Sequence, residues 1–381
     1  MVRCVRKHVA SHEADVLVIG SLIFCLKWLR TLRLPLVHTR FSPYAAEPGE
    51  SLVTAHAKDV VHFLSIGRSF GLSQAVAEEA ALPDQDLLGA IKDMKTELTL
   101  LAYGDGCEAD AGSSVTTCGL PGLPTVRTGF WLSLPPSGYT PSSALAAFLA
   151  DKSAPPPICL NFGSMAIYAE PWASSLLDAL KASGRRVVAV GDHVPQAVRA
   201  WPTVHWLPSI PHAYLFPHCA CVIHHGGAGT TAAVAASGVP AIVVPFLGWS
   251  DQPRFAAWVS RTGSGVHVTP AERTLTGFTA AISSALAAPT AAAAVALRTS
   301  LAARQGTSAA VDAIQQMVGQ PTPAGTKRAL KQLDALSQLP LTNGGKLRAG
   351  LYVLLSEPDA LPLVTYKVRD EWLKALGKQV S

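Results

Sequence analysis

A glycine-rich turn separates an apolar run from a helix-forming segment in the second half of this chain. The apolar run covers residues 219–223, the turn lies within residues 224–231 (His-His-Gly-Gly-Ala-Gly-Thr-Thr), and residues 232–237 are rich in alanine. This order predicts a strand, a turn and a helix. The first amides of a helix have no partner inside it, and its dipole favours negative charge at that end, so the turn predicts a phosphate or diphosphate site.

The spacing of the glycines excludes two common phosphate-binding loops. No Gly-Lys-Ser/Thr follows the turn, as a Walker loop requires. Gly226, Gly227 and Gly229 do not have the Gly-x-Gly-x-x-Gly spacing of a dinucleotide-binding loop.

Apolar runs alternate with helical segments through the same region. Strand candidates lie at residues 157–162, 186–190, 204–207, 219–223 and 241–246. Such alternation is typical of an α/β fold with a parallel sheet, in which the carboxyl ends of the strands meet at one edge. Ligands of these folds bind at that edge.

Several short blocks in this region, in the same order, resemble the donor-sugar signature of family 1 glycosyltransferases, the UDP-glycosyltransferases. Sterol 3-beta-glucosyltransferases and bacterial enzymes that glycosylate antibiotics are the most similar in these blocks. The blocks are residues 210–216, 224–231, 238–240, 244–246 and 251–253. The resemblance implies a GT-B architecture of two Rossmann-like domains. It also implies inverting, metal-independent transfer of a hexose, expected to be glucose, from a UDP-sugar to a hydroxyl of a sterol or other lipid-like acceptor.

The glycine turn provides the first group of candidate donor-binding residues. We expect His225 to be the last residue of its strand, where an imidazole can reach a diphosphate. Gly227 and Gly229 leave room for the ligand, and Thr230 adds a hydroxyl donor. His224 should point to the opposite face of the strand, because side chains alternate along a strand, and this argues against a metal site formed by the two histidines.

A second group lies on the loop after the next strand. Asp251 and Gln252 can accept and donate hydrogen bonds to sugar hydroxyls, and the family uses such a pair for that purpose. Relative to the family pattern, Trp249 and Ser250 form a two-residue insertion that could shift the pair.

Two further segments complete the predicted site. The turn at Gly163 and Ser164 follows a buried strand, and by resemblance its serine approaches the phosphate. By resemblance, backbone groups near Ile210 hold the uracil ring, with His212 beside it. No cofactor is expected apart from the UDP-sugar itself.

The first part of the chain resembles only the later part of the family's acceptor domain. The carrying residues are 15–20, 34–37 and 42–44, so the chain is expected to begin inside that domain and to leave it incomplete. No residue matches the histidine or aspartate that serves as the family's catalytic base, and the base is unassigned. We therefore expect UDP-sugar binding with little or no transfer.

The expected organisation has four parts. These are a partial acceptor domain at 1–135, a linker at 136–156, a donor domain at 157–319 and a helical tail at 320–381. Within the donor domain, the alanine-rich stretch 276–316 predicts one or two helices.

Three alternatives stay open at this stage. The chain could be a non-catalytic nucleotide-sugar-binding remnant, or a fragment of a longer glycosyltransferase. A lipid-linked N-acetylglucosaminyltransferase with the same architecture is a third candidate, which the two-histidine loop and the Asp-Gln pair disfavour.

Composition limits the partners and the compartment. The net charge of +5 is spread along the chain and does not form the basic cluster of a nucleic-acid-binding surface. The seven cysteines show no Cys-x-x-Cys spacing, which favours a reducing cytoplasmic setting. The apolar run at 16–26 is too short to span a bilayer. The basic tail leaves peripheral contact with a membrane open.

Overall fold

The computed structural model describes residues 16–20, 29, 34–43, 98–107, 124–132, 138–163, 170–248, 250–303 and 306–318. The chain divides into two compact units. The first gathers Met1–Ala102, Glu108–Arg127 and Ser308–Ser381, and the second gathers Tyr103–Cys107 and Thr128–Thr307. Ser164, Trp249 and the predicted tail at 320–381 lie outside the described residues.

The first unit contains a parallel sheet whose four described strands are adjacent in chain order. The strands are β1 (Leu17–Ile19), β2 (Leu36–Arg40), β3 (Leu98–Leu101) and β4 (Thr125–Arg127). Every residue of β2 and β3 is buried, as expected for a parallel sheet covered on both faces. Strand β1 lies within residues 15–20, one of the segments that resemble the family's acceptor domain.

The second unit contains a six-stranded parallel sheet. Its strands are β5 (Ile158–Asn161), β6 (Val187–Val190), β7 (Val204–Leu207), β8 (Cys221–His224), β9 (Ala241–Val243) and β10 (Gly265–His267). Their spatial order is β10-β9-β8-β5-β6-β7. The predicted parallel α/β sheet is confirmed.

The described helices lie between the strands and after the last of them. They are α1 (Ser143–Ala150), α2 (Glu170–Ala182), α3 (Gln196–Arg199), α4 (His212–Leu215), α5 (Ala228–Ser237), α6 (Gln252–Arg261), α7 (Leu275–Ala285), α8 (Ala288–Ala302) and α9 (Gly306–Met317). Short 3₁₀ turns cover Phe216–His218 and Pro270–Glu272. Helix α1 lies within the segment predicted as a linker, and the Ser142 hydroxyl caps it by accepting a hydrogen bond from the Leu145 amide, at 3.2 Å.

The alanine-rich stretch 276–316 forms three helices, so the prediction of one or two was wrong. Helix α7 ends at Ala285, and Pro289 stands in the first turn of α8. Proline has no amide to donate and its fixed φ suits a helix start, which explains the break. The second break comes before Gly306, where α9 begins.

Two other predictions were wrong by a small number of residues. Strand β8 ends at His224, so His225 lies just beyond it, because the chain turns at Gly226 with φ +90°. Asp251 and Gln252 do not lie on an irregular loop: Asp251 is the N-cap of α6 and Gln252 is its first residue. Pro253 favours this helix start.

The core of the second unit fills one face of its sheet. Side chains from β5, β8 and β9 pack there with α2 and α7, including Phe162, Trp172, Ile223 and Phe278. Cys159 and Cys221 are free thiols and fully buried, so they act as small apolar residues in this core.

Within the described residues, no single helix is both long and apolar enough to cross a membrane. The segments Leu275–Ala285 and Ala288–Met317 reach the length and apolar composition of a membrane span only when they are taken together, and a bend of 61° separates them.

Candidate functional site

The strand order of the second unit reverses between β5 and β8. Strands β6 and β7 continue the sheet on the side of β5, and β9 and β10 continue it on the side of β8. The chains leaving two neighbouring strands at such a reversal open a crevice at the carboxyl edge, where ligands of doubly wound sheets bind. Gly163 follows β5 at this point, and His225 follows β8. The fold thus brings two predicted loops to one place.

The turn after β8 requires glycine at its second position. Gly226 has φ +90°, a conformation that side chains rarely adopt. A Cβ atom on Gly226 would lie 2.9 Å from the carbonyl oxygen of Gln252 and 2.9 Å from the Val243 Cγ1 atom. The Gly226 amide donates a hydrogen bond of 3.1 Å to the His224 Nδ1 atom. The turn is therefore packed directly against the start of α6.

The amino terminus of α5 is open for a ligand. Its N-cap is Gly227, and no side chain caps it. The first amides of a helix have no partner within it, so those near Gly229 and Thr230 are available to an anion. Gly229 is exposed, and a Cβ atom there would meet nothing within 4 Å. Thr231 is buried, and its hydroxyl donates to the Gly227 carbonyl at 2.9 Å.

His225 lies beside this helix terminus. A Cβ atom on Gly227 would lie 2.5 Å from the His225 Nε2 atom, so the glycine makes room for the imidazole. The His225 ring stacks on Phe246 with centroids 6.2 Å apart and planes at 20°. Burial lowers the pKa of His225 to about 4, so the ring is neutral near pH 7. Its Nδ1 atom is buried and has no hydrogen-bond partner among the described residues.

His224 has a structural position under the turn. It is fully buried, and its Nδ1 atom accepts the Gly226 amide, so the proton of the neutral ring is on Nε2. Burial is the main cause that lowers the pKa of His224 to about 3, with smaller contributions from His225 and His212.

A polar pair lies on the β5 side of the crevice. Asn161 ends β5 and lies 2.8 Å from the His212 Nε2 atom through its Nδ2 atom. Asn161 is paired in register with His224 of β8. The His212 ring stacks on Phe216 with centroids 4.6 Å apart, and burial lowers the pKa of His212. Sequence reasoning missed Asn161, although a polar residue at the end of an apolar strand is a usable signal.

Two other predicted residues, Ile210 and Gly163, also lie on the β5 side of the crevice. Ile210 is buried, at 8% exposure, just before α4. Gly163 has φ +53°, and its carbonyl oxygen lies 3.9 Å from a Cβ built on Gly191 at the end of β6.

The loop between β9 and α6 is held together by its own polar groups. The Gln252 Oε1 atom accepts hydrogen bonds from the Phe246 amide at 2.7 Å and the Leu247 amide at 3.1 Å. The Ser250 hydroxyl donates to the Leu247 carbonyl at 2.8 Å and accepts from the Gln252 amide at 3.2 Å. Ser250, part of the predicted insertion, is thus built into the loop.

Asp251 stands at the start of α6 and is half-buried. Burial raises the pKa of Asp251, and the nearby Arg254 partly opposes that effect. The side-chain oxygen of Gln252 is therefore used within its own loop. The carboxylate of Asp251, by contrast, is partly removed from water.

A cleft of about 620 Å³ adjoins this site within the second unit. Three of the predicted donor-binding residues line it, namely His212, Gly229 and Thr230. The rest of the lining is largely apolar and comes from Trp131, Leu132, Pro211, Ala213, Pro217, Ala233, Ala236 and Ser237.

The histidines near the crevice do not form a metal-binding group. Among the described residues, no cluster of three or more His, Cys, Asp or Glu side chains could hold a metal ion.

Sequence comparison relates the chain to known glycosyltransferases. Residues 175–333 match the family model for the erythromycin biosynthesis protein CIII-like C-terminal domain. Over 174 residues the chain is 36% identical to vancomycin aglycone glucosyltransferase of Amycolatopsis orientalis, a stretch that covers 43% of this chain and 39% of that protein. Over 152 residues it is 34% identical to sterol 3-beta-glucosyltransferase of Aspergillus fumigatus, covering 36% of this chain and 11% of that protein. The chain thus spans less than half the length of these relatives.

Solved structures show the same fold. The spinosyn forosaminyltransferase SpnP matches with a TM-score of 0.59 at 16% identity, over 84% of this chain and 80% of that chain. The spinosyn rhamnosyltransferase SpnG complexed with thymidine diphosphate matches with a TM-score of 0.54 at 19% identity, over 82% and 76% of the two chains.

The predicted resemblance and the GT-B type of α/β fold are confirmed by these matches. Over residues 175–333 the chain is similar to an EryCIII-like C-terminal domain, and the relatives that it matches are bacterial antibiotic glycosyltransferases and sterol 3-beta-glucosyltransferases.

Proposed function

We propose that this homologue of GT-B glycosyltransferases binds a UDP-sugar at the carboxyl edge of its six-stranded sheet and transfers the hexose to an acceptor hydroxyl. The observation that carries the proposal is the open amino terminus of α5 at the reversal of strand order, with the neutral ring of His225 beside it. Free helix amides and a neutral imidazole donor suit a diphosphate without a bound metal.

The proposed chemistry is inverting transfer with the nucleoside diphosphate as leaving group. The bond between the anomeric carbon and the diphosphate oxygen breaks while the acceptor oxygen attacks from the opposite face and gives up its proton to a base. Negative charge grows on the leaving oxygen, and preorganised donors at that oxygen lower the barrier. The groups available are the first amides of α5, the Thr230 hydroxyl and the His225 imidazole.

We propose UDP as the nucleotide, glucose as the hexose and a sterol or other lipid-like alcohol as acceptor. The homologous sterol 3-beta-glucosyltransferases and vancomycin aglycone glucosyltransferase support a glucosyl donor. The structure of SpnG was solved with thymidine diphosphate, so the two pyrimidine nucleotides must be compared directly. Asp251 would contact the hexose hydroxyls, and Ile210 and His212 would lie beside the base.

Isothermal titration calorimetry of the whole chain tests the donor assignment. UDP, thymidine diphosphate, UDP-glucose and ADP are titrated in parallel, and UDP and UDP-glucose should bind most tightly. Absence of UDP binding at millimolar concentration would contradict the proposal. A transfer assay with UDP-glucose and a panel of sterols and other lipid alcohols then tests the acceptor, with glucoside formation followed by mass spectrometry. Because no residue is assigned as the base, transfer should be very slow compared with a usual enzymatic rate.

A further inference from the structure

A row of stacked side chains connects the glycine turn after β8 with the loop between β9 and α6. The Arg273 guanidinium lies over the Trp172 ring at 5.7 Å, Trp172 stacks on Phe246 with centroids 5.4 Å apart, and Phe246 stacks on His225 at 6.2 Å. Both planes beside Phe246 are tilted by only 20° from its own. We call these four residues the edge stack. Phe246 is its central ring, with Trp172 and His225 as neighbours.

Phe246 also belongs to the second loop through its backbone. Its amide donates to the Gln252 Oε1 atom at 2.7 Å, and Gln252 is the residue next to Asp251. The Arg273 guanidinium donates to the carbonyl of Pro245, immediately before Phe246. One residue therefore contacts the imidazole beside the α5 terminus with its ring and the Asp251–Gln252 segment with its backbone.

A second contact joins the same two segments. A Cβ atom on Gly226 would lie 2.9 Å from the Gln252 carbonyl oxygen, so the glycine turn and the start of α6 touch without intervening side chains. The turn and the loop are therefore in direct contact, and Phe246 is a side chain that touches both of them.

We propose that Phe246 is a positioning residue that couples recognition of the diphosphate to recognition of the hexose. It rests on the proposed function, since it assigns a diphosphate to His225 and a hexose to Asp251. The ring of Phe246 limits rotation of the His225 imidazole. Its backbone amide, hydrogen-bonded to Gln252, fixes the position of the neighbouring Asp251. A ligand that orders one subsite thereby orders the other.

The aromatic ring is the necessary feature, because aliphatic side chains of similar volume fill space without the stacked geometry. Aromatic pairs contribute beyond their buried area by an amount that corresponds to roughly two- to tenfold in a binding constant. We expect Phe246→Leu to weaken UDP roughly two- to threefold through His225. UDP-glucose should weaken by about tenfold, because it depends on both subsites. Phe246→Tyr retains the ring and should restore both affinities.

Phe278→Leu provides the matched control. Phe278 is buried and contacts Trp172 with centroids 5.6 Å apart, one ring further from the crevice and on no ligand-facing loop. This variant should lower the midpoint of thermal unfolding while leaving the affinities for UDP and UDP-glucose unchanged. Thermal unfolding of all variants shows which of them fold before their binding is compared.

Calorimetry with UDP and UDP-glucose on wild type, Phe246→Leu, Phe246→Tyr, Phe278→Leu, His225→Ala and the double variant His225→Ala/Phe246→Leu tests the proposal. The double variant should bind UDP no more weakly than His225→Ala alone.

In nitrogen-15 spectra of the ligand-free protein, Phe246→Leu should shift the His225 imidazole resonances and Phe278→Leu should not. Equal effects of Phe246→Leu and Phe278→Leu on binding, or additive losses in the double variant, would overturn the coupling while leaving the proposed function intact. Wild type that binds neither nucleotide would overturn both.

Discussion

The two segments that meet at the crevice differ in how their polar groups are paired. The turn from His224 to Thr230 leaves its helix terminus uncapped and surrounds it with glycine. The loop from Val244 to Asp251 satisfies its own amides through Gln252 and Ser250. The first segment keeps unpaired helix amides for a ligand, whereas the second uses its polar groups for hydrogen bonds within the loop. A predicted binding residue can therefore serve the ligand directly or serve the loop that carries another residue.

The largest expected effect tests whether the turn and the loop must touch. In Gly226→Ala, the methyl group would have to displace the Gln252 carbonyl and the Val243 side chain while φ stays positive. Backbone strain of about 1–3 kcal/mol and overpacking of about 1–3 kcal/mol should reduce the free energy of unfolding by roughly 2–6 kcal/mol in total. Urea denaturation measures the loss.

Gly229→Ala is the control for that change. Nothing lies within 4 Å of the added methyl group, and the residue is helical, so the free energy of unfolding should stay the same or rise by up to about 1 kcal/mol. A loss equal to that of Gly226→Ala would show that the close contact between turn and loop is unimportant.

The second prediction separates the ligands of the two segments. His225→Ala should weaken UDP by roughly ten- to a hundredfold, since the loss of one hydrogen bond to a charged group costs about 1.5–3 kcal/mol. Asp251→Ala should weaken UDP-glucose to a similar degree and leave UDP nearly unchanged, because the carboxylate is assigned to the sugar alone. Calorimetry with both ligands measures the difference. Equal loss of UDP in both variants would reject the separate roles.

The third prediction concerns the loop's own hydrogen bonds. Gln252→Ala removes the acceptor of the Phe246 and Leu247 amides. Both residues are half-buried, so water replaces the acceptor only in part, and the free energy of unfolding should fall by about 1–3 kcal/mol. Gln196, exposed at the first position of α3, gives the matched change at another helix start, where Gln196→Ala should stay within about 0.5 kcal/mol. A Gln252→Ala protein as stable as Gln196→Ala would mean that the loop does not depend on this side chain.

The architecture was predictable because local and long-range signals agree along the chain. Buried parallel strands read as short apolar runs, and the predicted runs at 186–190 and 204–207 became β6 and β7. The glycine turn was predictable for a similar reason. The positive φ at Gly226 favours glycine, and the uncapped helix start has glycine at its N-cap, so both features are visible as glycines in the sequence.

The details that the sequence did not reveal depend on partners far away along the chain. Asn161 meets His212 across 51 positions, and Phe246 meets Trp172 and His225 from different segments. No periodicity or propensity encodes such pairings. Gln252 shows a different limit. Its partners are only five and six residues away, but its side-chain amide could serve a sugar or its own loop, and only the fold reveals that its oxygen accepts two backbone amides.

The last comparison concerns pH, because His224 and Asp251 change the stability of the two segments with opposite sign. Burial lowers the pKa of His224 to about 3, below the unfolded value near 6.5, so the unfolded chain binds more protons and stability falls as pH drops below about 6.5. This contribution is at most about 1.4 kcal/mol per pH unit. Burial raises the pKa of Asp251, so its contribution has the opposite sign and is lost as pH rises through the folded value.

Urea denaturation between pH 4.5 and 7.5 measures both contributions. His224→Asn can still accept the Gly226 amide, as asparagine does in an Asx turn, but it does not titrate, so it should lose less stability than wild type below pH 6.5. Asp251→Asn should instead gain on wild type as pH rises, because it removes a carboxyl group that the fold holds in a desolvated position. Parallel stability profiles for wild type and His224→Asn would mean that His224 does not stay neutral in the folded protein, and that the turn rests on a charged ring.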